Sequence, residues 1–345
     1  MATISDLSQD LAEEILSRLP LTFLRKIRFT CKKWNDLSKH RSFTKKQISV
    51  AKKRQSKDCQ AMIMVMNYRV YLTSVNLLGT GSNVYPSIKR QGTLMGLNDA
   101  NRRVDISTVF HCDGLLLCIT KDLSSRLVVC NPYLGQTMWI KPRNSYHEMD
   151  SYALGYDKSL RSYKILRFVD YAEDQICEFE LYSLETSSWK VLDVTPDWDL
   201  GPHHHRGLSL KGNAYWYAKE KGDWVAGDDV LDFLICFDFT RERFGPRLPL
   251  PNGHTSRAYS DATVTLSSFG EDQLAMLFQC KFTFWIKIWV TSKIEPEDAS
   301  FLPVNMIPLT GHQYLADAGS FFMDEKTNIL VVSGKVVGHV PRCIA

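Results

Sequence analysis

The sequence lacks long hydrophobic runs. Apolar stretches such as residues 62–66 and 115–119 are far shorter than the roughly 18 apolar residues of a membrane-spanning helix. Asp6 and Asp10 stand where a secretory signal peptide carries basic residues followed by an apolar segment. We therefore expect a protein that does not associate with a membrane and that resides inside the cell, in the cytoplasm, the nucleus or both.

The sequence also lacks cysteine pairs at short spacing. Its nine cysteines include no Cys-x-x-Cys pair, and Cys118, Cys130 and Cys236 lie within apolar runs. An odd number of scattered cysteines in apolar surroundings indicates reduced, buried thiols, because disulfide frameworks use even numbers in an oxidising compartment. We do not expect disulfide bonds.

Motifs of catalytic, metal-binding and cofactor-binding sites are missing as well. No Gly-x-Ser-x-Gly, P-loop or dinucleotide-binding sequence occurs. His203, His204 and His205 are adjacent, so they cannot all face one ion, and no second cluster stands at ligand spacing. The acidic residues of segment 197–229 have no spacing that would pair two carboxylates for catalysis. We expect no catalytic residue, no metal and no cofactor.

What the sequence does contain is the composition of an ordinary folded protein with an uneven charge distribution. Its 345 residues, 44% hydrophobic and 23% charged, suffice for about two domains with a hydrophobic core. Residues 1–57 hold 14 Lys and Arg against 5 Asp and Glu, whereas the remainder holds 28 against 33, so the net charge of +4 describes neither part. This asymmetry indicates two regions with different roles and argues against a uniformly basic surface for nucleic acid.

The first forty residues predict two short amphipathic helices. In the first, apolar side chains recur at the four-residue spacing of one helix face; they are Leu7, Leu11, Ile15 and Leu19, joined by Leu16. Ser8 can cap this helix, and Pro20 ends it because the residue before a proline is disfavoured in the helical conformation. The second helix is expected from about residue 21, with an apolar face of Leu24, Ile27, Cys31, Trp34 and Leu37. Two such helices cannot bury both faces against each other alone, so they either cap the larger domain or bind a partner.

These helical residues carry a family resemblance. The segment Leu7-Ser-Gln-Asp-Leu11-Ala-Glu-Glu-Ile15-Leu-Ser-Arg-Leu19-Pro20 and the later Cys31-Lys-Lys-Trp34-Asn35 resemble the F-box, which residues 4–43 match over nearly its whole length. The resemblance implies that the helices dock on a Skp-type adaptor and, through it, on the cullin-RING core of a ubiquitin ligase. The residues that it implies at the adaptor interface are Leu7, Leu11, Ile15, Leu16, Leu19, Pro20, Leu24, Cys31 and Trp34.

Two departures from the family pattern bear on this docking. Ser8 stands where the family usually has proline, and Phe29 and Thr30 stand near the position of a valine before the cysteine. Proline at the first helical position is pre-organised for the helix, so its loss costs a few tenths to about 1 kcal/mol, in part recovered by serine capping. We predict adaptor binding that is measurable and weaker than that of a full-consensus F-box.

Residues 39–57 form a basic junction, with nine basic residues counting His40 and no acidic residue. A solvated linker is the simplest interpretation, and a nuclear-import patch at Lys52-Lys53-Arg54 with Lys57 is the alternative. No aromatic residue is interleaved with that patch for stacking on bases, which argues against nucleic acid as a partner. The predicted boundaries are 1–45 for the helical domain, 46–58 for the linker and 59–345 for the second domain.

The second domain has the pattern of a β structure, with short runs rich in Val, Ile, Tyr, Phe and Trp between turn-forming residues. The predicted strands include 61–66, 115–120, 127–130, 164–169, 176–183, 213–217, 234–239, 274–280 and 282–290. A hairpin closing on an aromatic residue recurs at 128–139, 179–189 and 235–244, and its closing aromatics lie 50 and 55 residues apart. This interval fits four-stranded propeller blades of kelch-like length. The expected fold is α+β multidomain, a small helical domain followed by a mostly β, irregular propeller-like domain, with a two-sheet sandwich as the alternative.

Several strings of this region also resemble the F-box-associated domain that is common in plants. They are Phe110-His-Cys-Asp-Gly-Leu-Leu-Leu-Cys118, Asn131-Pro-Tyr-Leu-Gly-Gln-Thr137, Ala153-Leu-Gly-Tyr-Asp157 and Gly212-Asn-Ala-Tyr-Trp216. The resemblance implies a module that presents a protein substrate to the ligase. Residues 334–345 stand where further strands are expected, which leaves closure of the last blade open; an open propeller would expose a strand edge.

Aromatic residues beside polar loops are the candidate substrate contacts. Trp198 and Trp224 lie in the Asp-, His- and Gly-rich segments 193–207 and 218–229, and aromatic anchors in loops are typical of protein interfaces. Trp216 and Tyr217 are expected in the core. The function expected from the sequence is substrate recognition for a cullin-RING ubiquitin ligase, without catalysis by this chain. The alternatives are a propeller-type hydrolase or sugar-binding module, and an F-box protein that acts outside a ligase.

Overall fold

The computed structural model describes residues 8–18, 32, 34, 43, 59–76, 87–93, 98–99, 102–122, 125–132, 136–146, 150–171, 176–200, 207–222, 225, 229–251, 255–257, 262–280, 285–308, 315–323, 330–336 and 342–344. The chain divides into two compact units, residues 1–148 and 149–345. The described residues hold one helix bounded by its caps, three further helical positions at residues 32, 34 and 43, and otherwise strands, turns and irregular segments. In these ranges no helix is long and apolar enough to cross a membrane.

Helix α1 (Gln9–Ser17) begins as the sequence predicts. The hydroxyl oxygen of Ser8 accepts a hydrogen bond from the Leu11 N–H at 3.4 Å, and its carbonyl accepts from the Ala12 N–H at 3.0 Å. Near the other end, the Arg18 guanidinium binds the Glu14 carboxylate at 2.5 Å, an i,i+4 pair on an exposed face. Pro20 and most of the predicted second helix lie outside the described residues, although Lys32 and Trp34 are helical.

In the part of the first unit that the structure describes, the strands form three antiparallel sheets. The first has β1 (Cys59–Met66), β2 (Arg69–Asn76) and β3 (Ser87–Thr93), and a small ribbon pairs β4 (Asn98–Asp99) with β5 (Arg102–Arg103). A four-stranded meander follows, with β6 (Ile106–Cys112), β7 (Leu115–Thr120), β8 (Leu127–Asn131) and β9 (Gln136–Ile140). A cluster around Val70, Leu116 and Val128 forms the core between the first sheet and the meander.

Four sheets are formed by the described residues of the second unit. Sheet 1 is a meander of β10 (Ser151–Asp157), β11 (Ser162–Tyr171), β12 (Ile176–Ser183) and β13 (Ser188–Leu192). Sheet 2 contains β14 (Trp198–Asp199), β15 (Leu208–Leu210), β16 (Asn213–Glu220), β17 (Asp229–Asp238), β18 (Arg243–Phe244), β19 (Leu248–Pro249) and β20 (Thr255–Arg257). Sheet 3 is a meander of β21 (Ala262–Phe269), β22 (Gln273–Cys280), β23 (Trp285–Glu295) and β24 (Asp298–Pro308). Sheet 4 has β25 (Leu315–Met323), β26 (Leu330–Val336) and β27 (Arg342–Ile344).

The recurring hairpin of the sequence is confirmed as an observed hairpin in three of the described sheets. Trp139 pairs with Val128 between β8 and β9, and Trp189 pairs with Tyr182 between β12 and β13. The third copy is the hairpin of β17 and β18, closed by Phe244. All predicted strands overlap observed ones where they are described, although residue 239 lies in a turn. The fold is mostly β and propeller-like, and the two-sheet sandwich is excluded because the strands form many separate small sheets.

The end of the chain differs from the expectation that strands are missing there. Residues of β27 pair with β26, so segment 334–345 does contribute a strand to the last sheet. The sequence prediction missed it because three residues are too few to show an alternating pattern.

Successive sheets of the second unit pack face to face. Trp216, fully buried, lies between sheets 1 and 2 with its ring edge-on to Phe168 at 5.7 Å. Trp289 and Tyr217 belong to the cluster between sheets 2 and 3. Close approach requires a glycine at residue 155, since a Cβ there would lie 2.0 Å from the Phe239 ring. Burial of large side chains on both faces of sheets 2 and 3 explains why a single sheet of this kind needs its neighbours.

Candidate functional site

Helix α1 carries an exposed apolar pair. Leu11 is 55% exposed and Ile15 is 45% exposed, and their i,i+4 spacing places them on one face of the helix. Ala12 and Leu16, each about 100° further round the helix, are buried. Leaving two large apolar side chains in water forgoes a few kcal/mol that burial would contribute, so this stripe has the character of a binding surface.

The structure divides the residues that the sequence assigns to the adaptor interface. Leu11 and Ile15 are accessible, whereas Leu16 is covered by the chain itself, so its burial requires no adaptor. Trp34 is half-buried, and its indole N–H has no hydrogen-bond acceptor among the described residues. The other five positions lie outside the described part of the chain; they are Leu7, Leu19, Pro20, Leu24 and Cys31.

The second unit has two distinct ends. Short turns of three sheets lie together at one end, which we call the turn end; they are residues 158–161, 184–187, 211–212, 239–242, 270–272 and 296–297. The connections that leave the opposite ends of the same strands include segments 193–207 and 221–228, which are longer than any of these turns, and we call that side the loop end. Long connections on a rigid scaffold are the usual place for binding residues, so the loop end is the candidate substrate surface.

Trp198 does not lie on that surface as an exposed side chain. It is 4% exposed, and its ring contacts Phe244 at 5.0 Å and Phe179 at 6.3 Å in the core between sheets 1 and 2. The sequence-based expectation of an exposed Trp198 is wrong, because contacts with residues distant in sequence bury it. Trp224 lies outside the described residues. The expectation that Trp216 and Tyr217 are core residues is confirmed, since both are buried.

Arg247 connects the two polar segments 193–207 and 218–229 near the strands that carry them. The Arg247 guanidinium binds the Asp197 carboxylate at 2.7 Å and the Glu220 carboxylate at 3.3 Å, and it lies 4.7 Å from the centre of the buried Phe233 ring. The Lys221 N–H also donates to the Asp197 carbonyl at 3.1 Å. We call these contacts the Arg247 clasp. Sequence reasoning missed it because Arg247 and Asp197 are far apart in the chain.

Next to the clasp, three charged residues stand in one row across sheet 2. Lys219 is directly opposite Asp199 of β14 and Asp232 of β17, and Asp232 is buried. Burial lowers the pKa of Lys219, and the two carboxylates act in the opposite direction. Within the described ranges, no group of three metal-ligating side chains converges, either here or elsewhere. His203, His204 and His205 lie outside those ranges.

Buried thiols confirm the expected state of the cysteines where they are described. Cys112, Cys118, Cys130 and Cys236 are free and buried. The hydrogen bond with Cys130, followed by burial, raises the pKa of Cys118 well above its usual value, and burial raises the pKa of Cys236 to about 12. Cys118 and Cys236 therefore stay protonated at neutral pH and are poor nucleophiles, so neither is a candidate for covalent chemistry.

Comparison with known families matches both regions of the chain. The family model described as the F-box domain matches residues 4–46. The model described as the F-box associated beta propeller domain matches residues 61–344, more than half of the chain.

Whole-chain comparison gives the same result. The chain is similar to the F-box protein At5g42460 of Arabidopsis thaliana, at 59% identity over 97% of this chain and 87% of that protein. It is also similar to the F-box/kelch-repeat protein At3g16740 of Arabidopsis thaliana, at 56% identity over 97% of this chain and 88% of that protein. Among solved structures, the fucose-specific lectin from Aleuria aurantia aligns with 69% of this chain and 77% of its own, at 11% identity and a TM-score of 0.38. A similarity this low supports no conclusion about function.

Proposed function

Because this chain belongs to the family of F-box proteins with an F-box associated β-propeller domain, we propose that it is the substrate-recognition subunit of an SCF-type cullin-RING ubiquitin ligase. In this role the F-box binds a Skp-type adaptor, and the adaptor connects the chain to the cullin-RING core. The second domain binds a protein substrate. The proposal places the chain in the cytoplasm, the nucleus or both.

The observation that carries the proposal is the exposed pair Leu11 and Ile15 on the helix that the F-box model matches. Both side chains keep about half of their surface in water while Ala12 and Leu16, one position further along, are buried. A partner that covers the pair gains the burial free energy that the chain alone forgoes. The helix is also capped by Ser8, which supports an ordered binding surface despite the missing family proline.

The contribution of the second domain to ubiquitination is positional. A substrate tethered to the loop end has a high effective concentration near the ubiquitin-carrying enzyme of the complex, and the thioester chemistry takes place on other subunits. We assign no catalytic residue to this chain. The Arg247 clasp supports a substrate surface at the loop end, because it holds segments 193–200 and 219–222 together at their bases.

Retention of a recombinant plant Skp-type adaptor by the purified chain tests the proposal. The wild-type chain is expected to retain the adaptor, and Leu11→Glu with Ile15→Glu is expected to weaken binding at least about tenfold, since each buried apolar contact at an interface centre contributes on the order of 1–2 kcal/mol. Leu302→Glu is the matched control, because Leu302 is 58% exposed on β24 and lies outside the F-box. A wild-type chain that fails to retain the adaptor contradicts the proposal.

A further inference from the structure

The turn end of sheets 1 and 2 forms one continuous surface. The Lys158 N–H donates to the Thr240 hydroxyl at 3.0 Å, which joins the turn after β10 to the turn after β17. The Leu184 N–H donates to the Tyr163 carbonyl at 3.1 Å, which joins the turn after β12 to the start of β11. We call residues 158–161, 184–190 and 239–243 the turn surface. Its parts come from three hairpins and are held in fixed relative positions.

Most of the acidic side chains at this end are already used within the chain. Lys164 binds Asp157 at 2.5 Å and Glu242 at 2.7 Å, and Lys190 binds the second oxygen of Glu242 at 2.6 Å. Asp238 accepts hydrogen bonds from the backbone N–H groups of Thr240 and Arg241. Asp157 and Glu242 are therefore neutralised by Lys164 and Lys190, and Asp238 also lies 3.8 Å from the Arg241 guanidinium.

The acidic residues of sheet 3 at the same end are engaged as well. Glu295 binds Lys211 at 3.1 Å, Glu297 binds Arg241, and Asp298 binds Lys293 at 3.2 Å. These pairs remove three nearby carboxylates that could otherwise neutralise the cations of the turn surface.

Three cations of the turn surface remain without a partner among the described residues. Lys158, Arg161 and Arg243 are exposed, and none makes a hydrogen bond or ion pair through its side chain in the part of the chain that the structure describes. Glu185 is exposed and likewise without such a contact, so three cations face one free carboxylate. Between two of the cations stands Leu160, which is 57% exposed. The turn surface thus combines excess positive charge with an accessible apolar side chain.

We propose that the turn surface binds an acidic segment of a protein partner, with an apolar residue of that segment over Leu160. Carboxylates of the segment would replace water around Lys158, Arg161 and Arg243, and complementary charge of this kind gives specificity and fast association. A protein segment is favoured over nucleic acid because the positive area is small. Lys158, Arg161 and Arg243 are too few for the row of phosphate contacts that nucleic-acid binding requires, and the exposed Glu185 lies within the same surface and would repel a polyanion.

This surface lies at the opposite end of the same sheets from the loop end. Since β10 to β13 and β16 to β17 run between the two ends, a partner at the turn surface does not occupy the candidate substrate surface. The proposal concerns a second binding function of the propeller-like domain, and it stands independently of adaptor binding and of the substrate surface.

A fluorescein-labelled peptide, Asp-Glu-Asp-Leu-Glu-Asp-Glu, is a suitable probe for the full-length chain in fluorescence anisotropy. Binding is expected at low salt and should weaken as salt rises, because the contacts are exposed ion pairs. Lys158→Glu with Arg161→Glu should weaken binding about fivefold or more, and Arg243→Glu alone by less. Lys141→Glu with Arg143→Glu, which reverses two exposed charges of the first unit, should leave binding unchanged. Equal melting temperatures of the variants exclude unfolding as the cause of any loss.

A second peptide tests the proposed contact between Leu160 and an apolar residue of the bound segment. A peptide with serine in place of its leucine should bind several-fold more weakly to the wild-type chain, and Leu160→Ser should remove that difference without changing the dependence on salt. The proposal is overturned if the acidic peptide does not bind at low salt, if both double variants lose binding equally, or if a 12-nucleotide single-stranded DNA of the same label binds more tightly than the peptide. Adaptor retention, measured on the same samples, reports separately on the F-box.

Discussion

The two ends of the second unit are held together in different ways. At the turn end, the Lys164 ammonium is buried between the carboxylates of Asp157 and Glu242, and Glu242 belongs to the next sheet. At the loop end, the Arg247 clasp consists of side chains that remain partly in water; the Asp197 side chain is 76% exposed. Buried charges are costly to leave unpaired, whereas exposed pairs contribute little. The turn end is therefore expected to be the rigid side of the domain and the loop end the adaptable one.

Removal of the buried lysine should have the largest effect. Lys164→Ala leaves Asp157 and the inner oxygen of Glu242 without a cation in a site with little water, which is expected to lower the free energy of unfolding by about 3–5 kcal/mol. Chemical denaturation of the full-length chain measures the loss. Lys190→Ala is the matched control, because Lys190 binds the same Glu242 but its side chain is 65% exposed, and its effect should be below about 1 kcal/mol. Equal losses of stability for the two variants would contradict the claim that the buried ion pairs of Lys164 stabilise the turn end more than an exposed pair does.

Low pH should have the second-largest effect, because it protonates the carboxylates that pair with Lys164 and so lowers the free energy of unfolding. Burial alone raises the pKa of Asp157, but hydrogen bonds from Lys164, Ser159 and Leu160 outweigh it and lower the pKa to about 2. The pKa of Glu242 is also lowered, because its bonds to Lys164 and Lys190 outweigh burial. A carboxyl group with a lowered folded-state pKa stabilises the fold above its unfolded pKa and loses that contribution as the pH falls.

For Asp157, the loss should amount to about 2 kcal/mol between pH 5 and pH 2, from the difference between its ordinary pKa of 3.8 and the folded value. The free energy of unfolding at a series of pH values measures it. Asp157→Asn should be less stable than wild type at pH 7 and should have a flatter acid limb. An acid limb that is unchanged in this variant would assign the pH dependence to other carboxyl groups.

At the loop end, Arg247→Ala should cost only about 1 kcal/mol, from two partly exposed ion pairs and the contact with the Phe233 ring. The effect on hydrogen exchange near the clasp should be easier to detect than the effect on the free energy of unfolding. Hydrogen exchange of segments 193–200 and 219–222 should become faster, while exchange at the turn end stays the same. Arg243→Ala is the control, since Arg243 makes no side-chain ion pair within the described ranges. Faster exchange at both ends would show that the two ends are coupled.

Features set by neighbouring residues could be predicted from the sequence. The Ser8 cap depends on residues within one helical turn, and the hairpins closed by Trp139, Trp189 and Phe244 depend on local turns and alternating side chains. Features set by distant residues could not. Trp198 is followed by an acidic, histidine-rich segment and resembles an exposed loop residue, but Phe179 and Phe244 bury it.

The ion pairs at both ends could not be predicted from the sequence for the same reason, since their partners are distant in the chain. Lys164 meets Glu242 only because sheets 1 and 2 pack together, and Arg247 meets Asp197 only because the chain returns along sheet 2. At the candidate adaptor site, periodicity identified one apolar stripe on helix α1, but it could not show that Leu16 faces the chain itself while Leu11 and Ile15 face water. Spacing within a helix defines a face, and only tertiary contacts decide which part of it is covered.

The smallest change in stability is expected for Asp197→Asn, which separates the contribution of the carboxylate from that of the backbone contacts in the Arg247 clasp. Asp197→Asn removes a carboxylate that is mostly in water, but the Asp197 carbonyl still accepts from the Lys221 N–H at 3.1 Å and from the Arg247 guanidinium at 3.2 Å. The change in the free energy of unfolding should be at most about 0.5 kcal/mol and should disappear in 1 M salt, where the Debye length is about 3 Å. Glu220→Gln is the parallel variant, with a longer ion pair of 3.3 Å and an effect no larger. If Asp197→Asn instead matches the loss of Arg247→Ala, the carboxylate and not the backbone holds the two segments together, and the loop end is then sensitive to salt as a whole.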